Sequence, residues 1–256
     1  MIAAWFTLVA IVAYESCAAG YRRRFPYRTF SYWHDLWFSL GTIAMAFALS
    51  PWIDRLADAS FAAHMAQHVA LTLIGPPLVL LGAPLLLAAG VARPATARAF
   101  GRVLHRPAVR VAISPAVALL VFVAVLWGAH FSPLYEAALE NEWIHVLEHV
   151  AFVTSAFLFW VWVLPSGSLP RPVPYAARLL LLFLAIPQGA FLAIALQSAR
   201  GVLYPHYLAA QSVAQALADQ RNAGAVMWLG GGTLLFVAFI AVAAEWAARE
   251  RGAACA

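Results

Sequence analysis

Long apolar stretches separated by short polar ones run along the whole chain. A helix needs about 20 mostly apolar residues to cross a bilayer. Each stretch is continuous rather than alternating, which favours helices over strands. Seven stretches qualify as spans, at about residues 1–20, 36–53, 65–90, 111–130, 144–164, 178–199 and 223–247. The pattern predicts an all-α integral membrane protein in which residues 1–256 form one domain, a bundle of seven transmembrane helices.

Prolines inside two of the predicted spans indicate kinks. The third span contains GPP at 75–77 and GAP at 82–84, and the sixth contains Pro187. A proline has no backbone N–H, so a carbonyl group of the preceding turn loses its helical partner. We expect neighbouring helices to satisfy these carbonyl groups. The third span is also the longest, which fits a bent or tilted helix.

The distribution of arginine predicts the orientation, because cytoplasmic loops of membrane proteins carry an excess of basic residues. Thirteen arginines fall on one side of the predicted bundle, in residues 21–35, 91–110, 165–178 and the C-terminal tail, and three fall on the other. The N-terminus is therefore predicted outside and the C-terminus inside. The basic run RRRFPYR follows the first apolar stretch, so we expect a retained first helix rather than a cleaved signal peptide.

Composition supports a membrane protein and narrows its function. The chain is 64% hydrophobic and 11% charged, whereas soluble domains are about half apolar and a quarter charged. The net charge of +5 comes from arginines between the spans, where they set topology and contact lipid headgroups, so no nucleic-acid partner is expected. Cys17 and Cys255 have no metal-binding spacing. The sequence contains no P-loop, Rossmann glycine pattern or GxSxG motif, and we expect no enzymatic activity.

Two histidine pairs carry the candidate chemistry, HMAQH at 64–68 and HVLEH at 145–149. Side chains four residues apart lie on one face of a helix, about 6 Å apart along its axis, and can bind one metal ion. In the predicted topology both helices begin outside, so the two pairs lie at similar depth. The fourth span ends with a histidine on the same side. The candidate metal ligands are His64, His68, His130, His145, Glu148 and His149.

The depth of the second pair follows from the length of the fifth span. Residues 150–164 are too few to cross a bilayer, so the span must include residues 145–149. Glu148 and His149 are therefore predicted inside the outer half of the membrane, facing protein rather than lipid. A metal ion beside Glu148 would offset the cost of burying its charge. The structural alternative is a hydrogen-bonded cluster without metal, and Met65 could offer a thioether or simply pack.

Three blocks of the sequence resemble the CtaG-type cytochrome c oxidase assembly factors of bacteria. HMAQHVALTLIGPPLVLLGAPLLL at 64–87 resembles the first block and HFSPLYEAALENEWIHVLEHVAFVTSAFLFW at 130–160 the second. LYPHY at 203–207 and LADQRNAGAVMWLGGG at 217–232 resemble the third. The sequence departs from the family pattern at Ala129, where tryptophan is usual, and at Arg221, where glutamine is usual.

The resemblance implies a seven-span protein of the bacterial plasma membrane that is needed to make a functional heme–copper oxidase. It implies a role in metallation, through copper binding or delivery by a histidine cluster on the outer side. The motif residues would be the six candidate ligands, with Asp219, Gln220, Met227 and Trp228 in the third block. The expected partners are cytochrome c oxidase subunits, the lipid bilayer and a soluble copper carrier.

Other functions fit the same residues. One histidine from each of two helices could ligate heme iron, which would make the chain a heme-binding membrane protein. The histidines could instead form hydrogen bonds only, in a structural subunit or scaffold of a respiratory complex. A transporter is less favoured, because the inner halves of the predicted spans carry few ionisable groups, Glu15 and Glu245 being close to their inner ends.

Overall fold

The computed structural model describes residues 2–27, 29–164 and 173–254. The regular secondary structure of these residues is all helical, and no strand occurs among them. In chain order the α-helices of this part are α1 (Ile2–Arg24), α2 (Tyr32–Ala48), α3 (Pro51–Ala59), α4 (Phe61–Val69), α5 (Gly75–Leu81), α6 (Pro84–Val91), α7 (Pro94–Leu104), α8 (Pro107–Ala112), α9 (Pro115–His130), α10 (Leu134–Glu140), α11 (Glu142–Val163), α12 (Tyr175–Ser198), α13 (Val213–Ala225) and α14 (Gly232–Ala254). The predicted all-α class is confirmed.

Local sequence signals explain where many helices begin. A serine hydroxyl accepts a backbone N–H of the first turn and so satisfies a donor that has no partner within the helix. Two of these helices, α3 and α9, begin with proline, which suits the first helical position. The capping serines are Ser31 for α2, Ser50 for α3, Ser60 for α4, Ser114 for α9 and Ser212 for α13.

Four continuous helical segments of the described chain are long and apolar enough to cross a membrane: Phe61–Leu81, Glu142–Val163, Tyr175–Ser198 and Val213–Gly252. Two bent helix pairs would raise the number to six, since α2 and α3 meet at 50° and α9 and α10 at 65°. The helix α1 lies where the first span is predicted. The chain is thus a helical membrane protein, and the number of seven spans stays a prediction.

The structure changes the limits of several predicted spans. The second and fourth end in bends, and the short helices α3 and α10 that follow those bends were not predicted. The last helical segment begins at Val213, well before the predicted residue 223. Three residues used in the sequence analysis, Arg28, Arg171 and Cys255, lie outside the described residues.

The predicted kink at GPP is a π-helical turn over Ala70–Ile74, which joins α4 to α5. In a regular helix the backbone N–H of residue 76 would donate to the carbonyl oxygen of Thr72, and Pro76 cannot do so. The indole Nε1 of Trp160 in α11 donates to that oxygen instead, at 2.8 Å. A neighbouring helix therefore satisfies the freed carbonyl group, as expected. A second π-helical turn, Val226–Gly231, joins α13 to α14.

The third span stops earlier than predicted, at Leu81 rather than residue 90. Ala83 adopts a left-handed backbone conformation with φ of 51°, and α6 starts at Pro84. The hydroxyl of Tyr14 in α1 donates to the carbonyl oxygen of Gly82 at this break, at 2.5 Å. The GAP sequence is thus a helix break that contacts α1.

The apolar core lies in layers along the bundle. One layer, around Phe159, Trp160 and Leu182, packs α11, α12 and α14 together. At the end of that layer the buried Arg178 donates to the carbonyl oxygen of Val163 at 2.6 Å and pairs with Glu245 at 3.3 Å. A second layer, around Phe61, Met65 and Leu192, lies beside the histidines. The helix α11 packs along the π-helical turn Ala70–Ile74 and α5, which continue α4.

Candidate metal centre

The two histidine pairs meet between α4 and α11. Nε2 of His64 and Nε2 of His68 are 3.0 Å apart. One ring nitrogen from each of His64, His145 and His149 lies within 4.8 Å of the other two, and the same holds for one ligand atom each of His64, His68 and Glu148. We call His64, His68, His145, Glu148 and His149 the histidine cluster. Sequence spacing predicted each pair, and the structure adds their convergence.

The cluster faces the protein interior. Glu148 and His149 are 3% and 8% exposed, while Leu147 beside them is 66% exposed on the outer surface of α11. This agrees with the prediction that Glu148 and His149 face protein. His145 is only half-buried, so it is the cluster member nearest to solvent. The cluster therefore opens towards the helix start at Glu142.

Hydrogen bonding inside the cluster is incomplete. Among the described residues no hydrogen-bond partner is found for Nδ1 of His68, Nε2 of His145, Nε2 of His149 or either oxygen of Glu148. The nearest basic atom to Glu148 is Nε2 of His68, at 3.9 Å from Oε2. Buried polar atoms in folded proteins nearly always have a partner, and unsatisfied ones call for an explanation. Several buried polar atoms thus converge without hydrogen-bond partners in the described part of the chain.

His130 lies beside the cluster rather than within it. Its ring centroid is 6.4 Å from that of His68. Its Nδ1 lies 2.7 Å from the carbonyl oxygen of Leu126, and its Nε2 lies 3.1 Å from Sδ of Met65. The sequence analysis placed His130 in one set with the two pairs. The structure gives it a separate partner, the thioether.

Two tyrosines that sequence reasoning missed flank the cluster. The hydroxyl of Tyr207 lies 3.3 Å from Nδ1 of His64 and 3.3 Å from the hydroxyl of Tyr135. Burial raises the pKa of Tyr207 above its usual value, so its hydroxyl keeps its proton. The signal in the sequence for Tyr207 was LYPHY at 203–207, whose histidine, His206, pairs with Asp58 at 3.0 Å.

The third block positions the first histidine helix. The carboxylate of Asp219 accepts the backbone N–H groups of Phe61 and Ala62, at 2.6 and 3.3 Å, and the hydroxyl of Ser60 at 2.9 Å. It therefore caps α4, and a negative charge there also favours the helix dipole. Gln220 holds the loop before α13 through a contact of 2.8 Å with the backbone N–H of Leu203. These two residues support the site without belonging to it.

Acidic side chains surround the more exposed end of the cluster. Asp54 is half-buried and accepts a hydrogen bond from Gln67 at 2.8 Å, whereas Asp58 is exposed. Glu136 accepts the backbone N–H of His206 at 2.9 Å. Carboxylates around an entrance raise the local concentration of cations. Imidazole and carboxylate ligands suit copper and zinc, so the arrangement fits a divalent or monovalent transition-metal ion.

Comparisons with known proteins identify the family of the chain. The family model described as cytochrome c oxidase caa3 assembly factor (Caa3_CtaG) matches residues 12–249. Uncharacterised proteins of Mycobacterium bovis and Mycobacterium tuberculosis are each 28% identical over 221 residues, which cover 82% of this chain and 33% of theirs. One of Mycobacterium leprae is 27% identical over 220 residues. The chain thus spans about a third of the length of these relatives. No solved structure matches.

Proposed function

The chain belongs to the family of cytochrome c oxidase caa3 assembly factors, and from that premise we propose that it binds copper at the histidine cluster and delivers it to an oxidase. Assembly of a heme–copper oxidase requires that metal ions reach sites in its membrane subunits. A membrane protein with exchangeable ligands can accept an ion from a soluble carrier and pass it on. The cargo is copper, and the recipients are cytochrome c oxidase subunits.

One observation carries this proposal: two histidine pairs on separate helices converge, and several of their buried polar atoms lack hydrogen-bond partners among the described residues. Ligand atoms of His64, His68 and Glu148 lie within 4.8 Å of one another. Ligand atoms about 2.0–2.2 Å from one ion can be separated by up to roughly 4.4 Å, so modest side-chain movement suffices. A bound cation would satisfy the carboxylate and the imidazoles together.

The degree of enclosure fits transfer rather than permanent binding. A structural metal site is closed on all sides, whereas a site that exchanges ligands keeps an open position. His145 is half-buried at the edge of the cluster, and His64 is 1% exposed at its base. An ion can therefore reach His145 first and the buried histidines afterwards. Copper is preferred over zinc because of the family, since imidazole ligands bind both metals.

The proposed topology places the cluster on the outer side of the bacterial plasma membrane. Seven spans follow if α1, the two bent pairs and the four long segments each cross once. The segment Val213–Gly252 has 40 residues, so at 1.5 Å per residue it is about 60 Å long, twice the thickness of the hydrocarbon core. Its polar first part, α13, then extends outward beside the start of α4, and the arginine-rich α7 lies inside.

The two alternatives receive less support. A cofactor pocket usually measures about 300–1,000 Å³, but the cavity beside His68 and His130 measures about 50 Å³, which disfavours heme. A purely structural cluster would satisfy its members by hydrogen bonds. Glu148, however, has no donor among the described residues for either of its oxygens.

The test is metal binding by the purified full-length protein. We expect the unaltered protein to bind copper, and His68→Asn and His149→Asn each to lower its copper stoichiometry or its affinity for copper. His105→Asn is the matched control, because His105 is exposed and lies far along the chain from both pairs. Unchanged copper binding in both cluster variants would reject the histidine cluster as the site. An optical spectrum with a Soret band would favour heme instead.

A further inference from the structure

A contact between two electron-pair donors lies directly beside the histidine cluster. Nε2 of His130 and Sδ of Met65 are 3.1 Å apart, and both side chains are buried. Nδ1 of His130 faces the carbonyl oxygen of Leu126 at 2.7 Å. A carbonyl oxygen only accepts hydrogen bonds, so Nδ1 carries the hydrogen of the neutral ring and Nε2 presents a lone pair. A thioether has no hydrogen to donate, and the contact is therefore not a hydrogen bond.

A second thioether shares this environment. Met65, His130 and Met227 line one cavity of about 50 Å³, and most of the remaining lining is apolar. One water-sized particle needs roughly 10–15 Å³, so the cavity has room for an ion. Met227 belongs to the π-helical turn Val226–Gly231. Such turns occur often at functional sites, because they redirect side chains within an otherwise regular helix.

We propose that Met65, His130 and Met227 form a second metal site, selective for Cu(I). Thioether sulfur is a soft ligand that favours Cu(I), and imidazole binds copper equally well. Ligand atoms about 2.0–2.3 Å from one ion can be up to roughly 4.3 Å apart, and the two atoms at 3.1 Å are within that limit. Nε2 of His130 and Sδ of Met65 do not attract each other, but a Cu(I) ion between them forms a coordinate bond to each atom.

His68 connects this site to the histidine cluster. It lines the same cavity as Met65 and Met227, and its Nε2 lies 3.0 Å from Nε2 of His64 in the cluster. An ion held by the cluster thus has one imidazole between it and the thioethers. The proposal rests on the proposed function in that the same cargo occupies both sites. The cluster accepts Cu(I) from outside, and the thioether site holds the ion in that oxidation state and excludes zinc.

The experiment compares methionine variants of the full-length protein, purified and loaded anaerobically with Cu(I). X-ray absorption at the copper edge reports sulfur ligands, and competition with a chromophoric Cu(I) chelator reports stoichiometry. We expect sulfur scattering in the unaltered protein, and its loss or reduction in Met65→Leu and Met227→Leu. Met45→Leu is the matched control, because Met45 lies in α2, packs near Gly75 of α5 and does not line the cavity. Its spectrum should be unchanged.

Zinc binding separates this proposal from the proposed function and reports folding. Each leucine variant should bind Zn(II) like the unaltered protein, because the histidine cluster is intact. The thioether site would be overturned if the unaltered protein bound Cu(I) without sulfur scattering. It would also be overturned if the double variant Met65→Leu/Met227→Leu showed unchanged sulfur scattering. If the asparagine variants of the cluster still lose copper in that case, the proposed function stands and only the second site is rejected.

Discussion

Glu148 is the residue whose environment depends most on a bound cation. Its side chain is buried, and no described donor reaches either oxygen. An unpaired buried charge costs several kcal/mol, and a neutral residue of the same shape avoids that cost. For Glu148→Gln we therefore expect the metal-free protein to be at least as stable to heat as the unaltered one. Its copper affinity should fall roughly 10–100-fold, because the anionic partner of the ion is lost.

Thermal unfolding in detergent, with and without copper, measures both effects. The stabilisation that copper gives should shrink in Glu148→Gln, while Glu142→Gln, an exposed position on the same helix, should match the unaltered protein. A role for Glu148 as a purely structural acceptor predicts the reverse pattern. In that case the metal-free variant would lose stability and copper would still stabilise it as before.

At the residue scale, the sequence predicts the features that residue spacing and span length determine. The four-residue spacing placed each histidine pair on one face, and the depth of Glu148 in the membrane stays a prediction from span length. Long-range contacts could not be predicted in this way. The carboxylate of Asp219 caps α4 across 158 residues of chain, and Tyr207 reaches His64 across 143. Such contacts depend on how distant helices pack, which hydrophobic periodicity does not specify.

The helices α2 and α5 approach each other closely, and a glycine makes this possible. A Cβ at position 41 would lie 2.5 Å from the backbone nitrogen of Val79 and 2.8 Å from the carbonyl oxygen of Gly75. Backbone atoms cannot move aside as a flexible side chain can, so α2 must shift away from α5. We expect Gly41→Ala to lower the free energy of unfolding by about 1–3 kcal/mol.

Gly128 in α9 provides the control for this prediction. No described atom outside its own helix lies within 4 Å of a Cβ at that position, so Gly128→Ala should be neutral or stabilise by up to about 1 kcal/mol. Thermal or denaturant unfolding of the two variants in the same detergent compares them directly. Equal stability of Gly41→Ala and Gly128→Ala would contradict a close α2–α5 contact.

At the scale of elements, hydrophobic length identified the long helices but not their interruptions. The segments Glu142–Val163 and Tyr175–Ser198 differ by only a few residues from the predicted spans. The bend between α9 and α10 and the break at Ala83 lie within or next to apolar sequence, where hydropathy changes little. Their causes are local backbone geometry, proline placement and capping. The kink at GPP was predictable because proline removes a specific hydrogen bond, and Trp160 replaces the donor.

At the scale of the whole molecule, the charges and the candidate sites have a common polarity. The acidic residues Asp54, Asp58 and Glu136 lie near the histidine cluster. The arginines Arg98 and Arg102 lie on α7, which buries none of its residues against other described parts of the chain. If the arginine side faces the cytoplasm, copper is captured where carriers outside the membrane can reach it. The proposed delivery route therefore depends on orientation.

Orientation can be tested by labelling single cysteines in intact cells. Cys17 and Cys255 are first replaced by alanine, and one cysteine is then placed at the exposed Ala99 of α7 or at the exposed Gln215 of α13. With the N-terminus outside, a membrane-impermeant maleimide should label Gln215→Cys in intact cells and Ala99→Cys only after the membrane is permeabilised. The reverse labelling would place the histidine cluster on the cytoplasmic side, and copper would then have to come from a cytoplasmic donor. Copper binding by the purified protein would be unaffected, so this result would change the route of delivery and leave the site itself intact.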